Sequence, residues 1–236
     1  LRSLVGSEMC IRDSFCRIAR CDVFVLRDDV PYVRGGVINR NRIKTPRGAE
    51  WLTVPVQTSG RDGARINEMM PCWRQPWVRA HLRAIELNYR RSPWYAEVIE
   101  AVVEPALREA AAKGATLSGL NGRLIRRIAE YLELDTPIVE SSSVGRTQAD
   151  TDCLVELVGR VGGTEYLSGV GEDAPGDAAA WVAAGIAVRY SSFEHPVYPQ
   201  LWGRFEPDLS VIDALCNCGP ATKNLIRTAV FHEATC

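Results

Sequence analysis

Between Pro137 and Phe193 the sequence alternates short β-rich runs with amphipathic runs of about ten residues. Pro137–Ser141, Thr164–Ser168 and Ile186–Phe193 read as strands. Asp150–Val161 and Pro175–Ala184 between them read as helices. A strand that must return in the same direction needs such a crossover, so the pattern calls for βαβ units and a parallel sheet covered on both faces. The expected fold class is α/β: a mostly parallel, Rossmann-like sheet flanked by helices, with a β-hairpin and a helical insertion.

The rest of the chain fits around that unit. Phe15–Arg20 reads as a helical remnant, Asp22–Leu26 as a strand ending in Asp28-Asp29, and Tyr32-Val33 as a short strand. Val37–Lys44 and Glu50–Val56 read as a hairpin turned by Thr45-Pro-Arg-Gly48. A largely helical block spans about 75–134. Val78, Leu82, Ile85 and Tyr89 make one stripe, Pro105 divides the second helix, and Thr116 or Ser118 caps the third. Ser210–Val230 reads as two helices broken by Gly219-Pro220.

Composition narrows the class further. In 236 residues, 46% hydrophobic and 24% charged, no uninterrupted apolar stretch approaches a membrane span. Residues 12–91 hold sixteen Lys/Arg against eight Asp/Glu, whereas 92–236 hold eleven against twenty. The basic half either serves an anionic ligand or docks onto the acidic half. Eight scattered cysteines show no C-x-x-C spacing, so reduced thiols and no metal site are expected. G-x-G-x-x-G, G-x-S-x-G and H-E-x-x-H are all absent.

Ligands of open parallel sheets bind beyond the carboxyl ends of the strands, and three segments belong there. Asp28-Asp29 either faces a ligand or forms a solvated turn. Ser168-Gly169-Val-Gly171 brings a hydroxyl and approachable backbone amides to a phosphate or carbonyl, or serves as a plain strand-to-helix turn. His195-Pro-Val-Tyr198-Pro-Gln200 offers a general base in a proline-stiffened loop, unless His195 only closes that loop. A fourth segment, Asn39-Arg-Asn-Arg-Ile-Lys44, puts Arg40, Arg42 and Lys44 on one face and Asn39 and Asn41 on the other. That row either clamps phosphates or protects an edge strand. His81, on the helix face of Trp77, reads as a packed or partly exposed helix residue.

The stretches Cys21–Val25, Asp28–Val30, Asn39–Lys44, Trp51–Val56, Ile66-Asn67, Trp77 with His81-Leu82, Asn88-Tyr89, Tyr166–Gly169, His195 to Gln200 and Ser210 to Asp213 occur in the order found in the WbqC-like family. The chain resembles that family from Phe15 to about Gly219. It departs from it at Pro31 and Arg34-Gly-Gly36, and at the start, where the family has a strand leading into a Gln-Pro motif. Residues 1–14, LRSLVGSEMCIRDS, resemble a translated sequencing-adapter read and are expected to be a non-native leader. Residues 15–236 are expected to form a single domain.

The resemblance implies a cytoplasmic protein of bacterial surface-polysaccharide (O-antigen) assembly, and glycine transfer to a sugar has been suggested for a member. The expected activity is therefore aminoacyl transfer to a nucleotide- or lipid-linked sugar from an activated aminoacyl donor. His195, Asp29 and Ser168 are the expected catalytic residues. Asp28, Asn39, Arg40, Asn41, Arg42, Lys44, His81, Gly169, Gly171, Tyr198, Gln200 and Asp213 are the expected substrate contacts. Neither DNA nor membrane insertion is expected, and the sequence names no cofactor. The rivals are a nucleotidyltransferase using Asp28 or Asp29 on a metal, and a non-catalytic partner in a polysaccharide-assembly complex.

Overall fold

The computed structural model describes residues 2–6, 11–145, 151–169, 178–193, 195–229 and 231–235. The chain folds as mixed α/β. Strands β1 (Arg2–Gly6), β2 (Val23–Leu26), β5 (Ile138–Glu140), β6 (Glu165–Gly169), β7 (Ala187–Phe193) and β8 (Phe231–Thr235) form one sheet. Their order is β5-β2-β1-β6-β7-β8. The first four pairings in that order are parallel and the last, β7 with β8, is antiparallel. Two further strands, β3 (Arg40–Thr45) and β4 (Gly48–Thr53), make a separate antiparallel hairpin.

Strand alternation explains how the sheet is covered. Phe24 and Leu167 point to the helical block, and their neighbours Val25 and Tyr166 point to the opposite core. That second core contains Leu157 and Val158 of α6 (Thr151–Arg160) and Trp181 of α7 (Ala178–Ala183). Tyr166 and Trp181 stack with ring centroids 4.8 Å apart, worth about 1 kcal/mol beyond the area they bury. On the other face lie α1 (Ile11–Ile18), α2 (Trp77–Tyr89), α3 (Glu104–Ala112), α4 (Leu117–Tyr131), α8 (Val211–Cys218) and α9 (Thr222–Thr228).

Several boundaries differ from the sequence reading for identifiable reasons. Tyr32-Val33 forms no strand: the segment makes a single bridge, Pro31 to Arg65, because proline cannot donate to a ladder. The helix expected after Pro93 begins as a π-helical segment, Ala96–Val103, and continues as α3 from Glu104, with Pro105 in its first turn. Proline has no N–H to give, so the change of helix type falls where the ladder already lacks a donor. Thr116, not Ser118, caps α4, accepting from Gly119 N at 3.2 Å. Strand β8 follows the segment read as helical tail and forms the antiparallel edge.

Gly219 ends α8 at φ +55, where an added Cβ would lie 2.2 Å from the Trp94 ring. Gly219→Ala combines left-handed backbone strain with a clash against a large side chain. It is expected to cost about 3 kcal/mol and to lower Tm by about 10 °C in a thermal melt.

Candidate functional site: the loop over the hairpin

Parallel strands β2, β6 and β7 end on the same edge of the sheet, and the expected site segments follow those ends. After β2, both carboxylates are buried and engaged. Asp28 Oδ1 accepts from Ser142 N at 2.9 Å, and Oδ2 accepts from Ser142 Oγ at 2.6 Å. Asp29 Oδ1 accepts from Ser141 Oγ at 2.5 Å. These bonds tie the end of β2 to the short helix α5 (Ser141–Val144). After β6, Ser168 is fully buried in the sheet, Gly169 is the last strand residue, and Gly171 lies outside the described residues.

The segment after β7 is a long loop, 195–210, without helix or strand in its described residues, and loops of that length are usually functional. It is folded onto the hairpin by side chains from β3. Lys44, 2% exposed, donates from Nζ to Gln200 Oε1 at 2.9 Å and to Arg204 O at 2.5 Å. Gln200 in turn closes the loop on itself, accepting from Glu206 N at 2.8 Å and donating to Glu206 O at 3.0 Å. Trp202 Nε1 donates to Asn88 O at 3.0 Å, and Ser210 N donates to Arg42 O at 2.8 Å.

Beneath the loop lies Asp213, fully buried in the first turn of α8. Tyr89 OH donates to its Oδ1 at 2.8 Å while accepting from Lys44 N at 2.7 Å. Burial raises the Asp213 carboxyl above its ordinary value, opposed by Tyr89, Tyr198, the Lys44 charge and Gln200. Burial also pushes the Tyr89 phenol upward, with the Asp213 charge adding to it. Tyr198 is buried edge-on to Phe205, ring centroids 5.5 Å apart. Four residues singled out in the sequence, Lys44, Tyr198, Gln200 and Asp213, thus meet in one polar cluster under the loop.

A second group forms at the loop's outer side around Asp208, which the sequence reading missed. Its carboxylate, 53% exposed, pairs with His195 Nε2 and lies 3.6 Å from Arg42 Nη2. Arg42 Nε also donates to Asp208 O at 3.1 Å. Asp208 has φ +57 and Trp202 has φ +65, two of the three non-glycine positive φ values among the described residues. Such strain persists where surrounding contacts over-determine the backbone, and it concentrates at working sites. Trp51 was also missed. It stands opposite Arg42 in the hairpin register, 47% exposed, with Arg40 4.5 Å and Arg42 5.7 Å from its ring centroid. Arg40 additionally donates to the carbonyls of Gly35 and Gly36.

The other face of β3 turns inward. Asn39 Nδ2 donates to Val54 O at 2.8 Å, and Asn41 Oδ1 accepts from Arg42 N at 2.8 Å. His81 reaches this side from α2, with Nε2 3.1 Å from Thr53 O and its ring edge-on to Trp77. Burial lowers the His81 pKa from 6.5, outweighing the Thr53 bond, which raises it. The unfolded chain therefore binds this proton more readily. The stability that His81 contributes is complete above pH 6.5 and is lost as pH falls through the lowered value. His81→Gln is expected to flatten that acid-side decline in urea melts collected from pH 7.5 downward.

Among the described residues no group of three or more His, Cys, Asp or Glu gathers as metal ligands. Burial pushes the thiols of Cys21 and Cys216 up to about 12, out of the reactive range. No helix among the described residues is long and apolar enough to cross a membrane.

By class the chain is a mixed α/β protein that carries a basic hairpin and a long histidine-bearing loop folded onto it. The chain belongs to the WbqC-like protein family, which matches residues 12–225. It is similar to uncharacterized protein Rv1507c of Mycobacterium tuberculosis, 35% identical over 217 residues that cover 92% of each chain. No solved structure matches.

Proposed function

We propose that the chain transfers an aminoacyl group, of glycine type, from an activated donor to a nucleotide- or lipid-linked sugar in the cytoplasmic stage of bacterial surface-polysaccharide assembly. The observation that carries this reading is the His195–Asp208–Arg42 constellation, strained at Asp208 and beside an exposed Trp51. An imidazole beside a carboxylate can take up a proton as a general base, with the carboxylate close enough to steady the imidazolium that forms. A neighbouring guanidinium suits a phosphate or an anionic intermediate.

In this mechanism the sugar amine or hydroxyl displaces the Asp208 carboxylate from His195 Nε2, the imidazole keeps its single proton on Nδ1, and the unprotonated Nε2 takes the proton of the nucleophile. The nucleophile bonds to the donor carbonyl, the bond from that carbonyl to the leaving group breaks, and the imidazolium returns the proton to the leaving group. Asp208 stabilises the imidazolium in between. Arg42 and Arg40 hold the phosphates of the acceptor, and Trp51 offers its open surface to the sugar ring. The donor side is taken to be the carboxyl end of β6, where Gly169 closes the strand. Asp28 and Asp29 position the end of β2. The sheet is read as Rossmann-like, supported by a strand order that reverses direction about β1, with ligands at the switch point between β1 and β6.

Calorimetric titration with a uridine-diphosphate amino sugar tests the acceptor assignment. Arg42→Ala is expected to weaken binding about tenfold or more, as loss of a charge-assisted contact does. Equal affinity in Arg42→Ala would remove β3 from the phosphate site.

A further inference from the structure

The transferase reading uses the arginine face of β3 and leaves its asparagine face without a role. That face looks into a cavity of about 100 Å³ between the hairpin and the helical block. Ile43, Leu52, Val54, Ile85, Leu120 and Leu124 are part of its apolar wall, and Asn39, Asn41, Asn121 and His81 supply polar groups. Two of the asparagines are anchored: Asn39 Nδ2 on Val54 O, and Asn121 Nδ2 on Ile38 O at 3.1 Å. These bonds tie the hairpin and α4 to residues 38–39 and so fix the walls before any ligand arrives.

Asn41 differs. Its Oδ1 accepts from Arg42 N, and this bond fixes the amide orientation, because a flipped amide would set a donor against that N–H. The nitrogen is then a buried donor, and Nδ2 has no hydrogen-bond acceptor among the described residues. A buried amide N–H without a partner is costly, so a ligand that brings an oxygen to it gains more than the bare hydrogen bond.

We infer that this cavity is a second binding site, for a short uncharged acyl or carboxamide group whose carbonyl oxygen accepts from Asn41 Nδ2 and whose alkyl end packs on Ile43, Leu52 and Leu124. Size supports the class. An apolar cavity of about 150 Å³ holds benzene, so this one takes about four or five heavy atoms. Charge supports it too. Among the described residues the lining has no carboxylate and no lysine. Arg40 is committed to Gly35, Gly36 and Trp51, and burial holds His81 toward its neutral form. A carboxylate or ammonium would find no counter-charge there. The site faces away from Arg42 and is independent of whether the chain transfers an aminoacyl group.

The test is titration of the full chain with propionamide, read by the methyl ¹H–¹³C signals of Ile43, Leu52 and Leu124. Saturable shifts confined to those methyls are expected, with a Kd on the order of millimolar for so small a molecule. Asn41→Leu is expected to weaken propionamide about tenfold while xenon still enters the cavity. Leu124→Phe, which fills the cavity from α4 without touching Asn41, is expected to abolish both. Absent or diffuse shifts in the unmodified chain, or equal propionamide affinity in Asn41→Leu, would overturn the site. N-acetylglucosamine distinguishes the sources: shifts at the same methyls mark an acyl group carried on a sugar, and their absence beside propionamide binding marks a free small molecule.

Discussion

The His195→Ala chain is expected to lose aminoacyl transfer by about a thousandfold in kcat, within the range that removal of a general base produces. Its far-ultraviolet circular dichroism and urea midpoint should stay close to those of the parent. His195 is a loop residue with its side chain 24% exposed, and it belongs to none of the three hydrophobic clusters. The partner substitutions separate the roles. Asp208→Asn keeps the side chain's shape and removes the charge that steadies the imidazolium, so kcat should fall while KM changes little. Arg42→Ala should chiefly raise KM, since a phosphate clamp acts in the ground state as well as in the transition state. If His195→Ala turned over at the parental rate, the histidine would be a loop-closing residue and the mechanism would fail.

The second large effect concerns stability. Asp213→Ala is expected to destabilise the chain by about 3–5 kcal/mol, the range for breaking a buried charged arrangement by removing one member. The Tyr89 hydroxyl would lose its acceptor, and the buried Lys44 ammonium would lose the opposing charge in its surroundings. Because Gln200 and Arg204 depend on Lys44, the loop should loosen as well, which hydrogen exchange over 195–210 would register. Asp213→Asn keeps an acceptor for Tyr89 and should cost less. Its pH dependence has a defined sign. The folded-state pKa of Asp213 lies above 3.8, so the folded chain holds a proton that the unfolded chain has released. That contribution is complete below pH 3.8 and declines as pH rises through the folded value. Asp213→Asn should remove this decline.

Much of this arrangement was legible in the residues. The βαβ alternation from Pro137 to Phe193 appears as β5, α6, β6, α7 and β7 in order. The hairpin and its polar alternation were also plain, because Thr45-Pro-Arg-Gly48 sets the register: pairing Thr45 with Gly48 puts Arg42 opposite Trp51. Trp51 was therefore within reach of the sequence, through turn arithmetic that periodicity alone does not supply. Asp208 was not. Its pairing with Arg42 and His195 depends on how a long irregular loop folds back, and no local pattern encodes that path. Lys44 shows the same limit in reverse. Alternation groups it with Arg40 and Arg42, yet burial removes it from solvent and gives it to Gln200 and Arg204. The π-helical segment before Pro105 likewise arises from tertiary packing, which overrides local preference.

The measurement closest to the central claim is a transfer assay with the purified full chain. It would combine an activated, isotopically labelled glycyl donor with nucleotide-linked and lipid-linked amino sugars, with products resolved by mass spectrometry. The account expects one sugar species to gain a single glycyl group, time-dependently, with formation lost in His195→Ala and retained in Leu124→Phe. Product formed equally by His195→Ala, or a well-folded chain that modifies neither sugar class with any aminoacyl donor, would contradict it.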